Sequence, residues 1–525
     1  MLTILIGLIW WKLNNINTYW IKRNIVQYNP RLFFGNYGPL ILQQKSLSDL
    51  MDTIYKHFEN VRYYGIYQFV TPNLVIKDLD LIKRITIKDF DTFPEHRTVL
   101  DENIEPLVAR NILFMKGGDK WQKLRSMVSP TFTSSKLKMM YPLMVKCAQQ
   151  MLDHYENKGD DITLEMKDAF SRYTNDVIGT TAFGIECNSL EEPNNIFYRM
   201  GNKTMNMTFF QILAMFMYNI SPFIAKVYFK LTLVPQDVGH FFRKTVIDAM
   251  RVRQEKGIFR PDMIHLLMEA RKGRIKYDED ENKLDSSFAI VQESEIGKSA
   301  NFKFSDISDD DLVAQALIFF LAGYDTSSTA ISFGAYELAI NPDVQQKLIE
   351  EIDEVLSAKK GEFVSYEELI GMKYLDCVVS EILRKWPPIV ISDRRAVKSF
   401  TVEPELPGET RIHFDAGTTC IIPTYSIHRD PKYYPNPEKF DPDRFSDDNK
   451  HLLVPFSYLP FGLGPKSCIG SRFALLEAKL IIFAILSKYR ILPVPKTSIP
   501  LTIKRKGLFL AAEGGIWLGL EKRTD

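Results

Sequence analysis

The sequence predicts a mainly α-helical protein with minor β-sheets. Segments 119–158, 160–185, 308–340, 342–357, 366–385 and 470–489 repeat apolar residues at helical spacing between plausible start and stop signals. Short β-branched and aromatic runs are confined to 61–77, 396–424 and 500–521. No Gly/Ser- or Pro-rich linker, internal repeat or composition break divides the 525 residues. At 45% hydrophobic and 25% charged, the composition is that of an ordinary globular protein. A formal net charge of +1 gives no footprint for a nucleic-acid partner.

Residues 1–11, MLTILIGLIWW, are apolar, and Lys12, Lys22 and Arg23 follow. A full membrane span needs roughly 20 apolar residues, and Ile16, Tyr19, Trp20 and Ile21 extend the run with interfacial residue types. No basic region precedes the run and no small-residue cleavage site follows it. Residues 1–21 therefore read as a retained membrane anchor and 22–525 as a single domain, with the positive charge placing that domain on the cytoplasmic side.

Further along, Gly117-Gly118-Asp119 opens a helical pattern in which Trp121 and Arg125, four residues apart, share a face. By itself this reads equally well as an amphipathic helix with a core tryptophan. Lys120, Lys123, Lys136 and Lys138 add positive charge nearby. Residues 205–234 are rich in Met and Phe, and Pro222 interrupts them. The acidic, Lys-rich stretch 273–301 reads as a solvated surface loop.

Residues 308–340 give the longest helical pattern, about 33 residues and so about 50 Å. Ser308 and Asp311 form a capping-box pattern, and Pro342 stands just beyond the end. From Leu312 to Ala322 the pattern is apolar on all sides, as in a helix through the middle of a large domain. Ala322-Gly-Tyr-Asp325-Thr326-Ser-Ser-Thr329 follows. A glycine, a carboxylate and four consecutive hydroxyls are costly there without a purpose, although hydroxyls also bond back to carbonyls four residues earlier. Glu381 and Arg384 share one face of an amphipathic helix that ends at Trp386-Pro387-Pro388.

The five cysteines, Cys147, Cys187, Cys377, Cys420 and Cys468, are widely spaced, and four carry no pattern. Cys468 differs. It lies in Tyr458-Leu-Pro-Phe461-Gly-Leu-Gly464-Pro-Lys466-Ser-Cys468-Ile-Gly470, directly before a helical pattern. Its glycines permit tight turns and close approach to a flat ligand. The following helix turns free N–H groups toward the sulfur and favours the thiolate. Thiolate suits a haem iron that activates O₂. A chain of this composition produces Phe-x-x-Gly-x-x-x-Cys-x-Gly by chance about once in a thousand sequences.

On these residues the chain resembles the cytochrome P450 family over nearly its whole length. The Phe461-to-Gly470 pattern is similar to the family's cysteine-loop signature, except that Lys466 stands where arginine is usual. Ala322–Thr326 resembles the family's Ala/Gly-Gly-x-Asp/Glu-Thr motif. Glu381-x-x-Arg384 and Phe440-Asp-Pro-Asp-Arg444-Phe445 resemble its paired structural motifs, with Asp443 in place of a glutamate. Phe320-Leu-Ala-Gly-Tyr-Asp-Thr, Glu381–Pro388 and Phe114…Trp121…Ser129-Pro130 look most like insect microsomal members, relatives of the vertebrate drug-oxidising ones.

The resemblance implies the P450 fold, with a long central helix over the haem and the cysteine loop below it. It implies haem b (iron protoporphyrin IX) with Cys468 as metal ligand, and Trp121, Arg125, Lys466 and Phe461 binding the cofactor. Lysine keeps the charge at its propionate contact but loses the planar fork of arginine. Thr326 would hold oxygen and a water where the central helix is locally opened, Asp325 would relay protons, and Ala322 and Phe319 would face the substrate. A buried Glu381–Arg384–Arg444 network would hold the cysteine loop. Electrons would come from NADPH through a flavoprotein reductase docked near the Lys120–Lys138 face, with a small electron-transfer haem protein as a further partner.

The implied activity is NADPH- and O₂-dependent insertion of one oxygen atom into apolar substrates, xenobiotics or hormone-like lipids, at the endoplasmic reticulum membrane. Residues 205–234 would roof the pocket and touch membrane lipid. A P450-fold isomerase or dehydratase commonly alters the acid–threonine pair, which is intact here. A non-enzymatic haem-thiolate gas-binding protein is the other rival, and reductant-dependent O₂ consumption separates both from a monooxygenase.

Overall fold

The computed structural model describes residues 16–97, 102, 105–159, 161–205, 217, 223, 224, 228, 234–274, 287–290, 304, 306–358, 363–507 and 509–524. Residues 1–15 and most of 205–234 and 273–301 lie outside these, and with them most of the expected anchor, roof and acidic loop. Among the described residues, no helix is long and apolar enough to cross a membrane.

The helices that carry the fold are α1 (Leu47–His57), α2 (Asp119–Val128), α3 (Ser134–Glu156), α4 (Met166–Ile178), α5 (Gln236–Lys256), α6 (Met263–Arg271), α7 (Asp309–Ile340), α8 (Pro342–Ser357), α9 (Lys373–Lys385) and α10 (Ser471–Lys488). Strands β1 (Tyr63–Gln68), β2 (Thr71–Ile76), β3 (Asp161–Glu165), β4 (Ser392–Arg395), β5 (Phe400–Val402), β6 (Ile412–Phe414), β7 (Thr419–Ile422), β8 (Tyr489–Pro493) and β9 (Trp517–Lys522) form three small sheets. Their orders are β1-β2-β7-β4, β3-β9-β8 and β5-β6. Among the pairs of these nine strands only β2 and β7 run parallel, Asn73 facing Thr419.

Helix α7 is the spine. Both halves of its capping box form between Ser308 and Asp311, and it stops at Asn341, before Pro342 restricts the backbone. It packs against α4, α5, α9, α10 and β8, and three-quarters of its residues are buried. Gln315 is the polar exception to its apolar first half. Its Oε1 accepts from the Ile112 N–H at 2.9 Å, and its Nε2 donates to the carbonyls of Arg110 (3.1 Å) and Asp311 (2.8 Å). Gly323 lets α4 cross closely, since a Cβ there would stand 2.6 Å from the end of the Ile178 side chain, which would have to move.

Several element boundaries differ from the sequence expectation. The 119–158 segment divides into α2, a 3₁₀ turn Ser129–Phe132 and α3, because Pro130 has no N–H to continue an α-helix. The 160–185 segment opens with strand β3 and closes with a π-turn, Gly179–Phe183. The 366–385 segment breaks between Gly371 and Lys373. Part of the expected solvated loop is docked. The Phe288 N–H donates to Asp376 Oδ2 at 3.0 Å, the Phe288 ring lies 5.1 Å from that of Phe445, and Ala289 is buried. Trp20, assigned to the anchor, is fully buried in the folded body, with its indole N–H on the Ile66 carbonyl at 3.2 Å.

Candidate haem site

The cysteine loop is shaped by its own backbone. The Cys468 N–H donates to the Phe461 carbonyl at 2.9 Å, and the Ser467 N–H to the Gly464 carbonyl at 2.9 Å. Gly464 has φ +72°, and a Cβ there would meet the Thr86 carbonyl oxygen at 1.9 Å, so this position admits only glycine. His428, unremarked in the sequence, pins the loop's start. Its Nε2 accepts from the Leu459 N–H at 2.8 Å, and its Nδ1 donates to the Arg384 carbonyl at 3.0 Å. The Tyr458 hydroxyl adds a bond to the Ser380 carbonyl at 2.9 Å.

Of the five cysteines, the other four are buried and Cys468 alone is exposed. Its loop neighbours Pro465, Lys466 and Ser467 are buried, so the sulfur is the accessible point of an otherwise enclosed stretch. Burial pushes its thiol up, while the Gly470 backbone N–H and Arg125 pull it down. Helix α10 starts three residues later, at Ser471.

Three cations converge beside the loop: Lys466, Arg394 and Arg125. Lys466 Nζ lies 3.3 Å from the Met115 carbonyl, 3.4 Å from that of Ile112 and 4.3 Å above the Trp121 ring. Burial, then Arg394 and Arg125, lower its pKa to about 7. Arg394, on β4, is likewise brought down to about 10 by burial. Its Nη2 donates to the Leu463 carbonyl at 2.9 Å, but its Nε has no partner among the described residues. Arg125 donates to the Ser467 carbonyl at 3.2 Å.

Buried positive charge with an orphaned guanidinium N–H calls for an anionic ligand. The two carboxylates of a haem edge meet that demand, and the exposed thiol meets the need of its iron, so the residues fit the group. The clamp differs from expectation in two ways. The Trp121 indole N–H is already given to the Ile112 carbonyl at 2.9 Å. Arg394, which the sequence reading missed, supplies a cation in its place. Its strand, Ser-Asp-Arg-Arg, is too polar to stand out as a buried strand.

On α7, Ala322 is exposed and Thr326, one turn on, is half-buried, whereas Ser327 to Ala339 are buried. Phe319 does not share the opening; it is buried edge-on against Phe132 at 5.1 Å. The helix is continuous α through this stretch rather than locally opened, and the Thr326 hydroxyl bonds back to the Ala322 carbonyl. Asp325 is turned to α4. Lys167 Nζ donates to Asp325 Oδ1 and to its carbonyl, both at 2.9 Å, and also reaches the hydroxyls of Ser328 (2.6 Å) and Thr329 (2.8 Å).

The charge network beneath the loop is fully buried at Glu381 and Arg384. Arg384 donates Nε to Glu381 Oε2 at 2.6 Å and Nη2 to Oε1 at 2.9 Å, while Nη1 reaches the His428 carbonyl at 2.8 Å. Arg444 Nε stands 3.6 Å from Glu381 Oε1. On the basic face, Lys120 is paired with Asp311 at 3.3 Å, Lys123 with Asp306 and Lys138 with Glu367.

A mainly helical fold with one accessible cysteine in a glycine-shaped loop, a cationic cradle and a continuous central helix that exposes Ala322 has the make-up of a haem-thiolate oxidoreductase. The cytochrome P450 family profile matches residues 27–518, and the chain belongs to that family. It is 43% identical over 523 residues to cytochrome P450 9e2 of Blattella germanica, covering 97% of this chain and 94% of that protein. It is 40% identical to probable cytochrome P450 9f2 of Drosophila melanogaster (97% and 96% covered) and 37% identical to cytochrome P450 6k1 of Blattella germanica (97% and 93%). The chain is therefore a haem b monooxygenase of apolar substrates, with a redox partner that passes it electrons from NADPH.

Proposed function

We propose that Cys468 is the axial thiolate of this monooxygenase, and that Lys466, Arg394 and Arg125 take the haem carboxylates. Phe461 and Trp121 flank the cofactor. The observation that carries this reading is the accessible Cys468 sulfur beside three cations, two of them buried and the third, Arg125, half-buried. Bound haem supplies the activation of dioxygen.

The chain's residues bind, orient and move protons. Ala322, exposed on α7, leaves room for substrate beside the helix. Thr326, its proton given to the Ala322 carbonyl, offers hydroxyl lone pairs to water in the cavity. Asp325, held by Lys167 on the α4 side of the helix, would relay protons from there. Glu381, Arg384 and Arg444 are structural.

The apolar run 1–11 with Lys12, Lys22 and Arg23 behind it supports attachment to the endoplasmic reticulum membrane, catalytic body on the cytoplasmic face. Membrane lipid is then one source of apolar xenobiotics or hormone-like lipids. A flavoprotein reductase, with a small electron-transfer haem protein beside it, is the electron donor.

Reduced, carbon-monoxide-bound protein should show the red-shifted Soret band of thiolate ligation, and Cys468→Ser should abolish or move it. An unchanged spectrum in that variant would overturn the assignment. Lys466→Arg should keep haem as well as the parent does, and Lys466→Glu should release it more readily, because like charges would meet at the propionate edge. Equal haem retention during gel filtration in all three proteins removes Lys466 from the cradle.

A further inference from the structure

The connection between α6 and α7 carries more than the solvated stretch expected of it. It runs from Lys272 to Ser308, and loops beyond about 12–15 residues without structure of their own are usually either functional or disordered. Midway along it, Ser287–Ile290 is docked. The Ser287 hydroxyl donates to Asp376 Oδ1, on the first turn of α9, and the Phe288 N–H donates to Oδ2 at 3.0 Å. Asp376 Oδ1 also takes Lys479 Nζ, from α10, at 2.7 Å, and Lys479 is buried. One carboxylate thus joins the segment, α9 and α10.

The Phe288 ring ends an aromatic chain. It lies 5.1 Å from Phe445 and 5.5 Å from Tyr458, and those two rings are 5.0 Å apart. Tyr458 is stacked in turn on His428 at 5.6 Å. Ring pairs of this kind contribute about 0.5–1.5 kcal/mol each beyond the area they bury. Tyr458 and His428 fix the start of the cysteine loop, one through the Ser380 carbonyl and the other through the Leu459 N–H. Helix α10, which Lys479 ties to Asp376, begins three residues past Cys468. The segment therefore grips both flanks of the loop, the upstream flank through rings and the downstream flank through a shared carboxylate. Behind Phe288, Ala289 is buried and Ile290 packs on the core, which seats the segment.

We propose that Ser287–Ile290 is a brace for the thiolate, with Phe288 and Asp376 as positioning residues that hold the loop presenting the Cys468 sulfur. With the Phe288 ring in place, Tyr458 is packed from both sides and keeps its bond to Ser380. The loop that follows then keeps its own closure, the Cys468 N–H on the Phe461 carbonyl at 2.9 Å. Without the ring, Tyr458 gains freedom and water reaches the loop. The reduction potential of a haem iron depends on hydrogen bonding and solvent access at its ligand sulfur, so the brace acts on potential as well as on persistence of the bond. A hydrogen bond from water draws charge from the sulfur and raises the potential.

The inference rests on Cys468 as the axial thiolate, and one experiment separates the two. The reduced, carbon-monoxide-bound holoenzyme is held at a fixed raised temperature while the red-shifted Soret band and the helical circular dichroism are followed together. Phe288→Ala should lose the band roughly ten-fold faster than the parent, with its helical signal intact. Phe288→Tyr, which keeps the ring, should return to the parent's rate. Ser287→Ala should fall between, because it removes one of the bonds to Asp376. The reduction potential should be higher in Phe288→Ala and parental in Phe288→Tyr, a shift that a general loss of packing does not produce. A parental band lifetime and potential in Phe288→Ala overturn the brace alone, and so does a band that decays only in step with the helical signal. A parent without the red-shifted band overturns the Cys468 assignment, and the brace falls with it.

Discussion

Two buried residues set opposite pH limits on the fold. His428 is enclosed among backbone partners, and burial with the nearby Arg384 charge holds its pKa down to about 3. The folded state therefore binds fewer protons than the unfolded chain below about pH 6.5, and stability is lost as pH falls from there toward 3. Glu477 works the other way. Its folded pKa of about 8 lies above the ordinary 4.5, so stability is lost as pH rises between those values. Each proton contributes a slope of about 1.4 kcal/mol per pH unit. Denaturant titrations should show His428→Gln flattening the acid limb and Glu477→Gln the limb from about pH 5 to 8; unchanged limbs would refute the respective assignment. Neither residue carries a sequence signal. A lone histidine in Ser-Ile-His-Arg and a glutamate inside Ala-Leu-Leu-Glu-Ala-Lys become significant only through neighbours from distant segments. Cys468 and its glycines were legible because the signature is local, every residue within a dozen positions.

Long helices with clear ends were also legible, as α7, α8 and α10 show. The strands β3, β4 and β8 were not. β3 is five residues and abuts a helix, β4 is polar, and β8 continues the apolar run of α10 without a break. Contacts between elements were hidden most completely. Lys167 sits where β3 gives way to α4, and 158 residues separate it from Asp325. That pair ties α4 to the functional turn of α7. Lys167→Met should cost about 1–2 kcal/mol, less than a fully buried pair because the lysine is a third exposed. Adding Asp325→Asn should recover most of the loss, since the second change removes the stranded charge. Additive losses in the double variant would show that the two side chains do not depend on each other.

At the scale of the whole chain, the catalytic body reaches back to Trp20, which packs against Phe414 at 6.3 Å between ring centres and hydrogen-bonds Ile66. A chain begun at residue 16 should therefore bind haem and unfold with the parent's midpoint. One begun at residue 22 should lose roughly 3–5 kcal/mol, the cost of removing a fully buried tryptophan. Equal denaturation midpoints for the two truncations would place Trp20 outside the folded body.

The cysteine loop and its cations also bear on the order of assembly. Arg125 meets Ser467 across 342 residues, and strand β9 closes a sheet with β3 from far earlier in the chain. Contacts of such separation form late, because the entropy of closing the intervening loop must be met before they contribute. A partly folded chain therefore holds the sulfur and the cations apart, and cofactor capture reports that distant segments have already come together.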